Sequence, residues 1–484
     1  GSRAASRAGS RARAALAMGP GEARALGELV QAASGCFGPC GRARAVRSSD
    51  AAGARTIVTS SSGGFLKHWR AQREHHVVRL VVDAAEAHLR RHVDGGWLLL
   101  NFCLRAAASL GAFGGRLAAF APPAQEGADK LPRAAALRGL AFAATWLEEA
   151  LRCEGNPCRR QLRWADLPSV LSLLRSAFSK PTAVAGDEDV RHLSVVLLEG
   201  FLEGLHVSSC EGDADDGLRC SWFCGPEISW SHAVKGLVLD TPSALPTSPP
   251  PATADRLPLA LFQVSLEQWL PTAAQEQTAL EISCTDAADG GETLRRWELA
   301  QFARLADALV AAGVCVLACQ KLVDPWLTDR LRQHGIAVLA RLSLRHVDAV
   351  RRLSGAVPIL SLAALPETWT DVLGAVGRIE SRRICGRTYT VVSPLARAEA
   401  PSRAAPVVTL LFGAPDESAL DELKRCVPQA LRSLRRAARE GSVLVGAGLV
   451  EVHLADIVAK RARALAQAGD PSASRAALAV AECL

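Results

Sequence analysis

The chain has 484 residues, 49% hydrophobic and 22% charged, with 56 basic against 49 acidic side chains. That length accommodates two to four domains with cores of their own, and with no run of 18 apolar residues free of charge, no helical membrane span is expected. The arginines are scattered, so the net charge of +7 does not mark a nucleic-acid surface, and the 14 cysteines read as reduced thiols of a cytoplasmic protein. Cys36/Cys40, Cys220/Cys224 and Cys315/Cys319 do not form paired zinc half-sites. Cys210, Cys220, Cys224 and His232 could be drawn as four ligands, but their spacing is irregular and the segment acidic, so no metal site is expected.

Residues 1–21 carry Arg3, Arg7, Arg11 and Arg13 among Ala and Ser, with no acid before Glu22. The composition superficially resembles an organelle transit peptide; the expectation is a disordered tail or upstream sequence translated in error. From Glu22, the spacing of Leu26, Leu29, Val30 and Ala33 predicts a helix ending at Ser34-Gly35. The turn Gly38-Pro39-Cys40-Gly41 follows, then a polar loop, a strand over 56–59 and a Ser/Gly turn over 60–64. Helices are predicted over 77–89 and 97–110, separated by Val93-Asp94-Gly95-Gly96. Residues 133–205 read as mostly helical with a break at Ser179-Lys180-Pro181, and 206–229 as a Cys-, Gly- and Asp-rich loop. Six prolines over 241–258 rule out a regular helix there.

An α/β pattern starts near Ala303. A helix over 303–312 closes at Gly313, and a buried strand over 314–318 follows. Asp324 then caps a helix with Pro325 at its first position and Gly335 past its end. The next strand spans 336–339 and the next helix 346–353, closed near Gly355. Strand–helix–strand at this spacing implies parallel pairing with a right-handed crossover.

Near the C-terminal end, a long amphipathic helix containing Leu420-Asp421-Glu422-Leu423 leads through a short apolar strand into Gly446-Ala447-Gly448, and then into a second helix. This run resembles the return from the intermediate to the equatorial domain of a group II chaperonin, the CCT/thermosome family. Gly35-Cys36-Phe37-Gly38-Pro39-Cys40-Gly41-Arg42, Val316 to Pro325 with its Cys319-Gln320-Lys321, and Asp421-Glu422-Leu423-Lys424 followed by Glu451-Val452-His453-Leu454-Ala455 are similar to the Bardet–Biedl group of chaperonin-like proteins. The resemblance covers roughly residues 22–484.

The resemblance implies an α+β multidomain group II chaperonin subunit fold, with helical equatorial, mixed intermediate and α/β apical domains. After a tail over 1–21, it puts the equatorial domain at 22–150 and 441–484, the intermediate domain at 151–232 and 376–440, and the apical domain at 233–375. It also implies a vestigial nucleotide site at Gly38, Pro39, Gly41, Asp94, Gly95, Gly446 and Gly448. An ordinary Gly-Pro turn would account for Gly38 to Gly41 as well, and a helix cap for Asp94. Gln429 stands where the family places the aspartate that activates water, and a glutamine cannot take that proton. Ser61 replaces an aspartate that helps to hold Mg²⁺, and a hydroxyl is a poor substitute for a carboxylate. Trp97 puts a bulky ring where the family has a phosphate-facing threonine, and Ala447 narrows the backbone angles of a glycine turn.

The chain is therefore expected to have no catalytic residues and no meaningful ATP turnover, with ATP and Mg²⁺ bound weakly at most. The implied function is a non-catalytic assembly factor that binds and helps to fold BBSome subunits for cilium biogenesis, at the centrosome and basal body. Its implied partners are other Bardet–Biedl chaperonin-like proteins, CCT ring subunits and BBSome subunits. An ATP-hydrolysing subunit of a CCT-type ring is the alternative, and a decayed gene product a third reading. Trp269 and Trp297 are candidate client contacts, although packing in the apical core would equally explain them. Residues 284–292 are expected to be a mobile part of the apical protrusion. The chain stops short of a complete subunit, so a truncated equatorial core with exposed apolar helix faces is expected.

Overall fold

The computed structural model describes residues 20–38, 41, 44–48, 55–68, 76–92, 95–109, 133–178, 186–204, 217–240, 243–245, 256–269, 290–362, 365–366, 368–396 and 399–484. Asp94, Pro39, Cys210, the break at 179–181, the tail over 1–19 and most of the segment over 284–292 lie outside these residues. The chain divides into two compact units, Gly1–Ser194 with Asp416–Leu484, and Val195–Pro415.

Helix α1 (Pro20–Cys36) buries Leu29, Val30, Ala33 and Cys36 along one face, one residue beyond its expected end. Strands β1 (Arg44–Ser48) and β2 (Arg55–Thr59) pair antiparallel with Arg44 opposite Thr59. Strand β1 was expected to be loop: Val46 is its one large apolar residue, and only pairing with β2 gives its backbone a ladder. Helices α2 (Ser62–His68), α3 (His76–His92) and α4 (Gly96–Ser109) follow. Phe65, Leu66, Val82, Trp97, Leu100 and Leu104 from these helices close a core with α1. Then come α5 (Arg133–Arg152), β3 (Arg159–Gln161), α6 (Leu167–Phe178) and α7 (Asp187–Gly204), whose first turn holds Asp187, Glu188 and Asp189 against the positive end of the helix dipole.

The second unit begins within α7, and its first strand is β4 (Leu218–Cys224), where a loop was expected. Its partner is β14 (Val408–Ala414), buried at every residue and paired in parallel with it from Val408 opposite Leu218. Strand β5 (His232–Lys235) takes the other edge of β14, antiparallel. After β6 (Leu237–Leu239), a five-stranded sheet is built from β7 (Ser243–Ala244), β8 (Leu257–Phe262), β9 (Val316–Cys319), β10 (Ala337–Leu339) and β11 (Gly374–Val376), in the order β11-β8-β9-β10-β7. The three central strands are parallel and both edges antiparallel. Alternate residues leave opposite faces of this sheet. Leu257, Leu259, Leu261, Val316 and Leu339 pack with Val347, Val350 and Leu353 of α10 (Leu344–Ser354). Phe262, Leu317, Cys319 and Val338 pack instead with Phe302 and Leu305 of α8 (Gly290–Ala311) and Leu327 and Leu331 of α9 (Pro325–Gln333). Trp269 packs edge-on to Phe302 with ring centroids 5.7 Å apart, so it belongs to this core. Strands β12 (Ile379–Ile384) and β13 (Arg387–Val392) complete a three-stranded sheet with β6.

The chain then re-enters the first unit. Helix α11 (Glu417–Glu440) is capped by Asp416, whose carboxylate accepts from the Ala419 N–H at 2.9 Å, and it ends at Gly441 in the left-handed conformation. Strand β15 (Ser442–Leu444) pairs antiparallel with β3. Helices α12 (Leu449–Gln467) and α13 (Pro471–Cys483) pack on α5 through Ala143, Val458, Ala462, Ala477 and Val480. No helix among the described residues is long and apolar enough to cross a membrane.

Candidate functional site

Three chain segments of the first unit meet at residues 59–64, where the end of β2 runs through Ser60 and Ser61 into the first turn of α2. The first turn of α4 delivers Trp97, whose indole N–H donates to the Ser60 carbonyl at 2.7 Å. Its ring is 6% exposed and lies against Phe65 at 5.2 Å, so Trp97 turns into the core and ties the loop to α4. The approach is close: a Cβ on Gly96 would overlap Ser62 Oγ, and one on Gly64 would lie 2.6 Å from Thr59 Oγ1. Glycine at these two positions lets the loop fold against α4 and α11.

Helix α11 supplies the third wall. Glu422, Arg425 and Gln429 are spaced three and four residues apart and share a face. Glu422 is 1% exposed, and both of its carboxylate oxygens are engaged. Arg425 Nη1 donates to Oε1 at 2.8 Å, and the Ser60 hydroxyl donates to Oε2 at 3.3 Å. The same Arg425 nitrogen reaches Thr59 Oγ1 at 3.3 Å. Loop hydroxyls also satisfy the loop's own backbone: the Ser61 N–H donates to Thr59 Oγ1 at 3.1 Å and the Gly64 N–H to Ser61 Oγ at 3.4 Å. This brace was not foreseen in the sequence. Its one local signal was Glu and Arg at helical spacing; the partner loop lies more than 350 residues away in the chain.

The other candidate residues are arranged around glycine turns. Gly38 has φ +84° and the Gly41 N–H donates back to its carbonyl at 3.1 Å, so the turn is closed on itself. Gly95 has φ +80° and lies beside the His88 ring. Burial, with His88, Arg436 and Arg91 nearby, holds His92 below the ordinary imidazole range, and Arg436 Nη1 lies 3.2 Å from its Nδ1. Gly446, Ala447 and Gly448 are exposed ahead of α12, with Ala447 at φ +61° and Gly448 at φ +81°. A left-handed alanine costs about 1–2 kcal/mol. The segment thus turns through two successive left-handed residues. Gln429 is half-buried one turn beyond Arg425.

Among the described residues of this site no carboxylate stands free to hold a magnesium ion, and Asp94 lies outside them. A hard cation takes oxygen ligands and favours carboxylates among side chains. The Glu422 carboxylate is committed to Arg425 and Ser60, and the Ser61 hydroxyl to the loop backbone. No group of three or more His, Cys, Asp or Glu side chains suited to a metal occurs among the described residues. Glu422, 1% exposed and hydrogen-bonded through both oxygens, is shielded from solvent.

Comparison with known proteins bears on the same elements. The chain is similar to the molecular chaperone MKKS of Mus musculus, 23% identical over 447 residues that cover 90% of this chain and 70% of the relative. The MKKS protein of Homo sapiens is 22% identical over 447 residues, 89% of this chain and 69% of the relative. A thermosome subunit of Methanocaldococcus jannaschii is 25% identical over 243 residues, 50% of this chain and 41% of its own length. The model of the TCP-1/cpn60 chaperonin family matches residues 220–482, from β4 through α13. With more than half of its length under that match, the chain belongs to the TCP-1/cpn60 chaperonin family.

Proposed function

We propose that this chain is a non-catalytic, chaperonin-like assembly factor that binds BBSome subunits and helps to fold or assemble them for cilium biogenesis. The observation that supports this most directly is the Glu422–Arg425–Ser60 brace beside Gln429. It spends the nearby carboxylate on holding α11 to the loop and leaves an amide where hydrolysis needs a base. Nucleotide is bound weakly at most, and no step depends on its cleavage. The chain works by holding an immature subunit until its partner arrives, alongside other Bardet–Biedl chaperonin-like proteins and the CCT ring, in the cytoplasm and at the centrosome and basal body. The similarity to proteins named molecular chaperone MKKS supports the same reading.

The alternative is an ATP-hydrolysing subunit of a CCT-type ring. The exposed glycine turn at Gly446–Gly448 ahead of α12 favours it, since a helix N-terminus can take an anion. Affinity purification of the tagged full-length protein from its own cells separates the two. BBSome subunits with substoichiometric CCT are expected. An even, ring-stoichiometric set of chaperonin subunits, together with phosphate release from ATP by the purified protein, would sink the assembly-factor reading.

A further inference from the structure

We infer that the free edge of β12 is a docking surface for another protein, which adds an extended acidic segment to the sheet as a further strand. Strand β12 stands at the end of the order β12-β13-β6, so among the described residues β13 is its one hydrogen-bonded neighbour. The Ser393 N–H donates to the Arg378 carbonyl at 2.8 Å, which sets the phase of the ladder. Glu380 and Arg382 turn their backbone groups to β13, and Ile379, Ser381 and Arg383 turn theirs outward. Ser381, Arg382 and Arg383 are exposed. Such a row of outward N–H and C=O groups is a template for one more strand.

The template is preformed. Cys385 and Gly386 close the hairpin in a two-residue turn, left-handed at φ +48° and +79°. Ile384 is buried with Phe223, Val391 and Leu411, and Tyr389 meets Phe223 edge-on with ring centroids 5.3 Å apart. Strand β6 pairs only with Thr390 to Val392, so the outer half of the hairpin is a two-stranded ribbon that gains from a third strand. Charge selects the occupant. Arg378, Arg382, Arg383 and Arg387 stand along the hairpin against one acid, Glu380. Glu380 already holds Arg382 at 2.7 Å and Arg378 at 3.5 Å. Arg383 and Arg387 have no carboxylate within ion-pair distance among the described residues. Arg382 and Arg383 leave opposite faces of the strand, so carboxylates on successive residues of a neighbour each meet a guanidinium, whose fork matches their two oxygens. A second copy brings four more arginines and a glutamate already engaged, so charge disfavours self-pairing. Edges guarded only against pairing are short, bulged or broken by proline, whereas β12 is six residues long and has no proline.

A labelled peptide of about ten residues, alternating glutamate and valine, is titrated into the full chain at low salt and followed by fluorescence anisotropy. It is expected to bind, to weaken as salt rises, and to weaken at least about tenfold in the Arg382→Gln/Arg383→Gln variant. The same peptide with lysine for glutamate should not bind. Ser381→Pro removes an outward N–H from an edge strand and should also cost at least about tenfold, while Ser381→Ala should bind as wild type does. Hydrogen exchange over 379–384 should slow when the peptide binds. If Ser381→Pro misfolds by circular dichroism, the peptide N-methylated at every residue carries the same test, because it keeps the charge and cannot pair. No binding up to about 1 mM, or binding that survives both Ser381→Pro and N-methylation, overturns the assignment. So does self-association of the chain without peptide, read by sedimentation velocity and abolished by Ser381→Pro, which gives the edge to a second copy.

Discussion

Replacing Glu422 by Gln would strand the Arg425 guanidinium, 24% exposed, beside Ser60 and Thr59 without its carboxylate. Removing one partner of a buried pair costs about 3 kcal/mol, and this pair sits at the low end because Arg425 retains some water. Denaturant unfolding of Glu422→Gln should show that loss, and adding Arg425→Met should recover part of it. Equal stability of wild type and Glu422→Gln would remove the brace from the account. Gln429→Asp alone supplies a carboxylate but no cation ligand, so its phosphate release from ATP should rise by less than about tenfold. Together with Ser61→Asp it should rise further. A large rise from Gln429→Asp alone would mean that the cation is already held. The proposed losses at Gln429 and Ser61 rest on residue type alone, within a motif that the sequence resembles. The brace was not, since Ser60 and Glu422 become neighbours only when α11 docks on the β2–α2 loop.

At the scale of elements, helix ends were the most legible feature. Asp324 caps α9 by accepting from the Trp326 N–H at 2.8 Å, with Pro325 in the first turn and Gly335 past the end, as the residue order predicts. Asp470 does the same for α13. The Ala473 N–H first, and then Arg138, hold its carboxyl below the ordinary value of 3.8. A depressed carboxylate contributes stability that is fully present above its unfolded value and is lost as pH falls through its lower folded value. Thermal melts should therefore show Asp470→Asn losing less stability than wild type between pH 4 and pH 2. Identical acid profiles would argue against the cap. Strand β4 was illegible for the opposite reason. Leu218 to Cys224 reads as a Cys-rich loop because its ladder is supplied by β14, nearly 190 residues later in the chain.

Across the whole molecule, the cysteines report which parts are closed. Cys385 is exposed, whereas Cys319 is buried in the α8–α9 face of the five-stranded sheet, where burial pushes its thiol up to about 11. Iodoacetamide at pH 8 should modify Cys385 in the native protein and Cys319 only on unfolding. Native labelling of Cys319 would contradict the packing of this core. The sequence by itself determined the family, the α/β run over 316–354 and the capped helices. These rest on local chemistry: caps, turn residues and apolar periodicity. Only the tertiary structure decided that Trp97 turns inward, that Glu422 is a strut and that Trp269 is core. Each of these depends on contacts between segments far apart in the chain, which form when apolar faces are buried and which neither segment specifies alone.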